Sequence, residues 1–204
     1  MHLIKFKKSR CIEILIVLVL NITFGLYAQK QEPTGAMVNG LKSGEWVYFF
    51  PNGKRSAVEH FELGKLHGDV TYFYENGQVA GRETWRNGTL QDSAMYFHTN
   101  GQLERKGRYQ DGQYAGEWRY YYENGKLQRA LHYSDGLPNG ETQIFDEAGR
   151  LLQTGMYKDG LEHGTWCFFS EGELQYYGDY TDGKQIGTWY KRVRGKDRVY
   201  KKYN

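Results

Sequence analysis

Four carboxylates stand at matched places in this chain: Glu45, Asp69, Glu117 and Glu141, each one residue after a glycine. Paired carboxylates perform general acid–base work, and glycosidases hold theirs ~5–9.5 Å apart. Here the spacing is 24 or 48 residues, which on the strand geometry argued below separates nearest members by roughly 10 Å. None is set apart from the others as the acid, so the column reads as a solvated charged edge. His67 and His163 share a second matched position but lie four repeats apart, on the order of 40 Å, too far to share a metal. His60, His98 and His132 show no ligand spacing such as H-x-x-x-H. Cys167 follows Trp166 in an apolar run and reads as a packed free thiol. No glycine-rich loop opens a helix that would hold a phosphate. The residues therefore predict no enzyme: no catalytic group, metal or cofactor.

What positions these residues is a repeat. A loop glycine falls at Gly40, Gly64, Gly88, Gly112, Gly136, Gly160 and Gly183, preceded by Asn or Asp except at Leu63. A second series falls at Gly53, Gly77, Gly101, Gly125, Gly149, Gly172 and Gly195, with one residue lost before Gly172 and the shorter step kept to Gly195. Eight residues after each of these comes an aromatic: Phe61, Trp85, Tyr109, Tyr133, Tyr157, Tyr180 and Tyr203. The chain thus reads as seven units of about 24 residues, residues 39–204, after a lead-in of residues 29–38.

Each unit holds two runs of strand length. The first, as in Trp46 to Phe50, ends at Asn-Gly, for which a type I′ turn is expected. The second, as in Arg55 to Phe61, ends at the next loop glycine. This predicts an all-β fold, an elongated array of antiparallel β-hairpins, with two strands per unit adding roughly 10 Å. A propeller of four-stranded blades would need two units per blade, and seven is odd.

Alternation along the first strand places Trp46 and Tyr48 on one face, with Tyr72, Tyr96, Tyr120, Ile144 and Phe168 in the Tyr48 column. Trp118, Trp166 and Trp189 fall in the Trp46 column and are expected to stack as the structural core. The opposite face carries Phe49, Phe73, Phe97, Tyr121, Phe145 and Phe169. Aromatics on both sides of one strand leave a surface that can bind, so this second column is the candidate binding surface. In the second strand, Leu103, Leu127, Leu151 and Leu174 are expected to share a face with Tyr109, Tyr133, Tyr157 and Tyr180.

The first 28 residues differ in kind. Lys5, Lys7, Lys8 and Arg10 precede the run Ile12 to Leu20, apolar except for Glu13, and Leu26-Tyr27-Ala28 suits cleavage. That is the layout of a signal peptide and predicts an exported protein, periplasmic, envelope-associated or secreted. The run is short of the ~20 residues of a membrane span. Its four basic and one acidic residues account for the whole net charge of +3, leaving 23 of each sign in residues 29–204. Seven of those bases lie between Lys191 and Lys202. This balance argues against nucleic acid as a partner, and a basic last strand discourages edge-to-edge association, so a monomer is expected.

The phrase G-x-W-x-x-Y-Y-x-N-G-K-L, then an aromatic and D-G-x-x-x-G, resembles the bacterial variant of the MORN (membrane occupation and recognition nexus) repeat. It is clearest at Gly116, Trp118, Tyr121, Tyr122, Asn124, Gly125, Leu127, Tyr133, Asp135, Gly136 and Gly140, and the resemblance covers about residues 38–204. Gly53, Gly77 and Gly101 repeat the Gly125 position. Two departures, Asp92 for a glycine and Thr142 for Trp, predict less regular packing in units three and five. The resemblance implies a hairpin array used for recognition and scaffolding; such proteins often bear an antitoxin label, that of the YwqK-like group. The sequence expectation is a protein-binding or scaffolding module of the cell envelope. An antitoxin neutralising a partner toxin, and a glycan- or lipid-headgroup-binding module, are the alternatives.

Overall fold

The computed structural model describes residues 31–203, so the signal-peptide reading falls on residues outside those described. The chain is built from strands, with no helix among the described residues. β1 (Thr34–Val38) leads in. The units follow as β2 (Leu41–Phe49) and β3 (Arg55–Glu62); β4 (Lys65–Leu66), β5 (Gly68–Phe73) and β6 (Val79–Arg86); β7 (Thr89–Phe97) and β8 (Leu103–Gln110). Next come β9 (Gln113–Tyr121) and β10 (Leu127–Ser134), then β11 (Leu137–Pro138), β12 (Gly140–Phe145) and β13 (Leu151–Lys158). β14 (Leu161–Ser170) with β15 (Glu173–Thr181), and β16 (Lys184–Val193) with β17 (Lys196–Tyr203), complete the seven units.

Pairing is antiparallel throughout and joins each strand to its sequence neighbour except β4 to β5 and β11 to β12. β3 reaches past β4 to β5, and β10 past β11 to β12. β1 and β17 each have one strand partner among the described residues, β2 and β16. The sheet is open, a single meander.

The two turn series take conformations opposite to the simplest reading. Type I′ turns, with φ > 0 at both central residues, form at the unit boundaries: Asn39-Gly40 (φ 51° and 76°) joins Val38 to Leu41. At the hairpin tips of units one to five, Asn or Ala before the glycine is not in the left-handed region, and only the glycine is. There Gly53 N–H donates to the Phe50 carbonyl and Phe50 N–H to the Lys54 carbonyl. That is a type I turn closed by a left-handed glycine, a three-residue loop rather than the expected two-residue type I′ loop. Glu171-Gly172 and Arg194-Gly195 do adopt φ > 0 at both residues and join Ser170 to Glu173 and Val193 to Lys196. The residue missing from the sixth and seventh units is thus the first residue of the three-residue loop.

Bulges shape each unit twice. Within units one to six the second strand holds one extra residue near the tip, as at Glu104, between Tyr96↔Arg105 and Phe97↔Leu103. An extra residue reverses which face follows. Leu103 therefore sits opposite Phe97, not beside Tyr109, and Leu127 opposite Tyr121. Leu151 and Leu174 likewise face Phe145 and Phe169, which corrects the expected one-sided leucine and tyrosine face. Between units, the first strand holds two extra residues and bends at a residue of positive φ: Gly44, Gly68, Asp92, Gly116, Gly140, Gly164 or Gly187. Asp92 takes the same conformation (φ 60°) and its carboxylate is held by Arg86 at 3.1 Å, so unit three stays regular. Units two and five are the interrupted ones, at His67 and Asn139.

Core burial is thin. Among the described residues the buried apolar side chains are Ala57, Val70, Ala94, Tyr109, Trp118, Leu131, Trp166 and Trp189. Trp118 is 0 % exposed although it belongs to one sheet layer. Its ring lies against Gly107 so closely that a Cβ there would be 2.2 Å from it. Its Nε1–H donates to the Arg108 carbonyl at 3.0 Å, and Tyr109 and Tyr114 close around it with centroids at 5.0 and 4.5 Å. Trp46, Trp166 and Trp189 lie in the same way on Gly35, Gly155 and Gly178. Where the column has Val70, Ala94 or Thr142 instead, the residue eleven earlier is Glu59, Glu83 or Leu131. Thr142 is buried with its hydroxyl donating to the Ala130 carbonyl at 2.9 Å, so the departure in unit five is satisfied locally.

Two outcomes follow. Gly107→Ala drives the Trp118 ring from its seat and lowers stability by about 3 kcal/mol, whereas exposed Lys106→Ala changes it by less than about 0.5 kcal/mol; denaturant midpoints measure both. Leu63 holds φ 49° at 77 % exposure where the other boundary turns have Asn or Asp. Leu63→Asn relieves that strain and raises stability by about 1 kcal/mol, seen as a higher melting temperature.

Candidate binding surface

Phe49, Phe73, Phe97, Tyr121 and Phe145 each end the pairing of a first strand near the hairpin tip, and Phe169 stands one pair before its end; all six lie on the face opposite the tryptophans and are half-buried. Four of them stand opposite the displaced leucines and Phe73 opposite Val79. Cross-strand pairs of this kind stabilise a sheet, so the column contributes to packing as well as to surface. The column runs along units one to six at the tip side.

At the tips the units lose direct backbone pairing, and side chains take over. Tyr74 and Tyr122 hydroxyls donate to the Phe97 and Phe145 carbonyls of the following unit at 2.6 and 2.8 Å, and His98 Nε2 contacts the Tyr121 carbonyl at 2.9 Å. Asn76, Asn100 and Asn124 each accept from the backbone N–H two residues on and donate to the carbonyl of Thr99, Glu123 or Glu147. The tip asparagine is therefore a staple between neighbouring loops, which a residue of αL preference alone would not require.

Clefts open where the tips diverge. One of about 550 Å³ is lined by His98, Arg105, Tyr121, Tyr122, Asn124 and Arg129, with Glu104, Glu123 and Glu147 also on its wall. Another of about 500 Å³ lies between Phe49 and Phe73 beside Arg55. Arg105 and Arg129 occupy equivalent places, each guanidinium stacked 4.2 Å over Tyr96 or Tyr120. The Nε of each is buried without a hydrogen-bond partner among the described residues. Arg86, Arg119, Arg150 and Arg192, by contrast, each hold a carboxylate. Stacking fixes the two guanidinium planes while leaving their hydrogen-bonding capacity unspent.

A polar ladder that sequence reasoning missed occupies the tryptophan face of units one to three. Glu83 accepts from Tyr96 and, at 2.9 Å, from Trp85 Nε1, and its charge also acts on the Tyr72 hydroxyl. The Tyr48 hydroxyl accepts from Lys42, and the Glu59 carboxylate, after burial, raises its pKa through its charge. Burial first, and these carboxylates second, push the Tyr72 and Tyr96 phenols well above their ordinary range. Burial and Tyr114 push Tyr109 up to about 12. The signal was present in the glycine and tryptophan columns: Glu59 and Glu83 replace the seat glycine where the tryptophan is absent.

The residues examined for chemistry stay apart. Glu45, Asp69, Glu117 and Glu141 are exposed. His67 Nδ1 lies 3.3 Å from Asn87 Oδ1 and 3.4 Å from Glu62, and His60 Nδ1 contacts the Asp69 carbonyl at 2.8 Å. Burial raises the Cys167 thiol. No three His, Cys, Asp or Glu side chains come together as metal ligands among the described residues.

Residues 66–87, 94–111 and 115–135 match the family model described as the MORN repeat variant. The chain carries MORN-variant repeats. The matched segments lie in units two to four and reach the boundary turn at Asp135, and the other MORN-variant units share the boundary-turn geometry. No curated protein matches the chain. Among solved structures, a porin-like protein from Bacteroides uniformis ATCC 8492 aligns over 76% of this chain and 86% of its own, at 8% identity and a TM-score of 0.22. Superposition that poor carries no argument about fold or function.

Tyr122→Phe deletes one bridge between the tips of successive MORN-variant units and leaves the Phe145 carbonyl short of its donor. A loss of about 1 kcal/mol is expected, with faster amide exchange confined to residues 122–126 and 145–150.

Proposed function

We propose that this protein is a non-enzymatic, protein-binding module that acts after export, in the cell envelope. The observation that carries the reading is the tip-side cleft with Arg105 and Arg129 stacked on tyrosines and holding no carboxylate. Half-buried aromatics beside arginine are the side chains on which protein interfaces concentrate binding energy. The array repeats such clefts along an open sheet, which suits an extended protein surface better than a small ligand, whose sites are enclosed. The carboxylates on the same wall match the cleft to a partner of mixed charge rather than to a polyanion.

A photo-crosslinking side chain at Tyr121, introduced in the producing cell, tests the proposal. The expected result is one discrete protein adduct in the envelope fraction that disappears with the double change Arg105→Ala and Arg129→Ala while the circular dichroism is retained. An adduct indifferent to the arginines, retention on envelope polysaccharide alone, or an adduct confined to the cytoplasm contradicts it.

A further inference from the structure

The two edges of the sheet are unlike. Lys196, Arg198, Lys201 and Lys202 lie exposed on β17. β1 reads Thr34-Gly35-Ala36-Met37-Val38, without a charge, and all five residues are exposed. Its outer backbone is unpaired among the described residues. Open sheets guard their edges with charge, above all lysine, and only one edge of this sheet is guarded. The basic residues that argue for a monomer argue for it at β17 alone.

β1 is also half of a unit. Gly35 seats Trp46 as Gly107 seats Trp118, and Asn39-Gly40 repeats Asp111-Gly112. Inside the array, a residue of the preceding strand stands across from each seat glycine. Ala94 faces Gly107, Thr142 faces Gly155 and Trp166 faces Gly178. On the outer side of β1 nothing among the described residues stands across from Gly35. Trp46 is correspondingly only half-buried, where Trp118, Trp166 and Trp189 are 0–3 % exposed. Beside it Met37 and Val38 are 56 % and 54 % exposed.

We propose that β1 pairs antiparallel with β1 of a second copy, about a twofold axis through Ala36. Antiparallel pairing is the only kind this chain makes among its described residues, and this register maps the strand onto itself. Thr34 then faces the partner's Val38, Gly35 faces the partner's Met37, and Ala36 faces the partner's Ala36. The consequence lies in the second of these pairs. The partner's Met37 arrives across from Gly35, on the side that carries Trp46, in the place that Ala94, Thr142 and Trp166 fill inside the array. A flexible thioether against an indole is a favourable contact, and the same contact forms twice by symmetry. The cationic β17 edges remain outside and repel further copies, so the assembly closes as a pair instead of growing into a filament. Five residues a side make a small interface, so the dimer is weak and depends on concentration.

Sedimentation velocity of the full chain over a wide concentration range tests this, alongside Met37→Lys and two cysteine variants in a Cys11→Ser, Cys167→Ser background. The expected result is a reversible monomer–dimer equilibrium that Met37→Lys abolishes without changing the circular dichroism. Under mild oxidation, Ala36→Cys forms a linked dimer and Tyr200→Cys, on the opposite edge, does not. Wild type that stays monomeric throughout overturns the proposal, and so does a dimer that links through Tyr200→Cys in preference to Ala36→Cys. Should Met37→Lys fail to fold, the two cysteine variants decide.

Discussion

The structure depends on a flat indole lying on a glycine of the neighbouring strand. A single-layer sheet has no second layer to cover its side chains, so burial must come from contact within the layer. Tryptophan supplies it by laying its ring along the sheet, which requires the strand beneath to lack a side chain. Gly35, Gly107, Gly155 and Gly178 meet that requirement, with Cβ positions 2.2–2.4 Å from the rings. The Nε1–H then finds a carbonyl one residue past the glycine, at 3.0–3.3 Å in all four cases. Each fully buried ring removes on the order of 200 Å² from water, roughly 5 kcal/mol at 25 cal/mol/Å². Each ring also joins one unit to the next, the interface on which a repeat array relies.

Everything else adjusts to that seat. The positive-φ residue two before the tryptophan, Gly44 or Gly116 for example, bends the strand so that the ring can lie down. Units that lack the ring also lack the glycine: Val70 with Glu59, Ala94 with Glu83, Thr142 with Leu131. In two of these the seat is filled by a carboxylate, and that of Glu83 accepts from the Tyr96 hydroxyl and the Trp85 indole. Substitution at one site is matched by substitution at the other, as close packing demands. The array thereby gains a polar stretch across its first three units while keeping the same strand pairing.

Much of this was legible in the sequence. Glycines at intervals of 24 residues fixed the number of units, and the aromatic columns fixed which face holds the core. The turns were not, because Asn-Gly at residues 52–53 and Asn-Gly at residues 39–40 are the same dipeptide. Loop length separates them, three residues against two, and it follows from strand register, which no single dipeptide encodes. The faces of the second strand were hidden for a related reason. One bulged residue, such as Glu104, reverses the alternation, and nothing in its side chain announces a bulge. The seat glycines were visible as an eleven-residue offset from each tryptophan, yet that offset has meaning only once the bend at Gly116 brings the two together. The binding column was legible as six aromatics; its pairing with the leucines, and the arginines stacked beside the tip clefts, needed the register.

The most direct measurement of the central claim is a double-mutant cycle at the junction of the fourth and fifth units, which has neither partner. Thr142→Trp alone places a ring against the Leu131 side chain, and Leu131→Gly alone leaves a void. Made together they recreate the seat found at Gly107 and Trp118. The account predicts that each single change lowers the denaturation midpoint and that the pair restores it to the wild-type value or above, a strong favourable coupling. Additive losses in the double variant would contradict it.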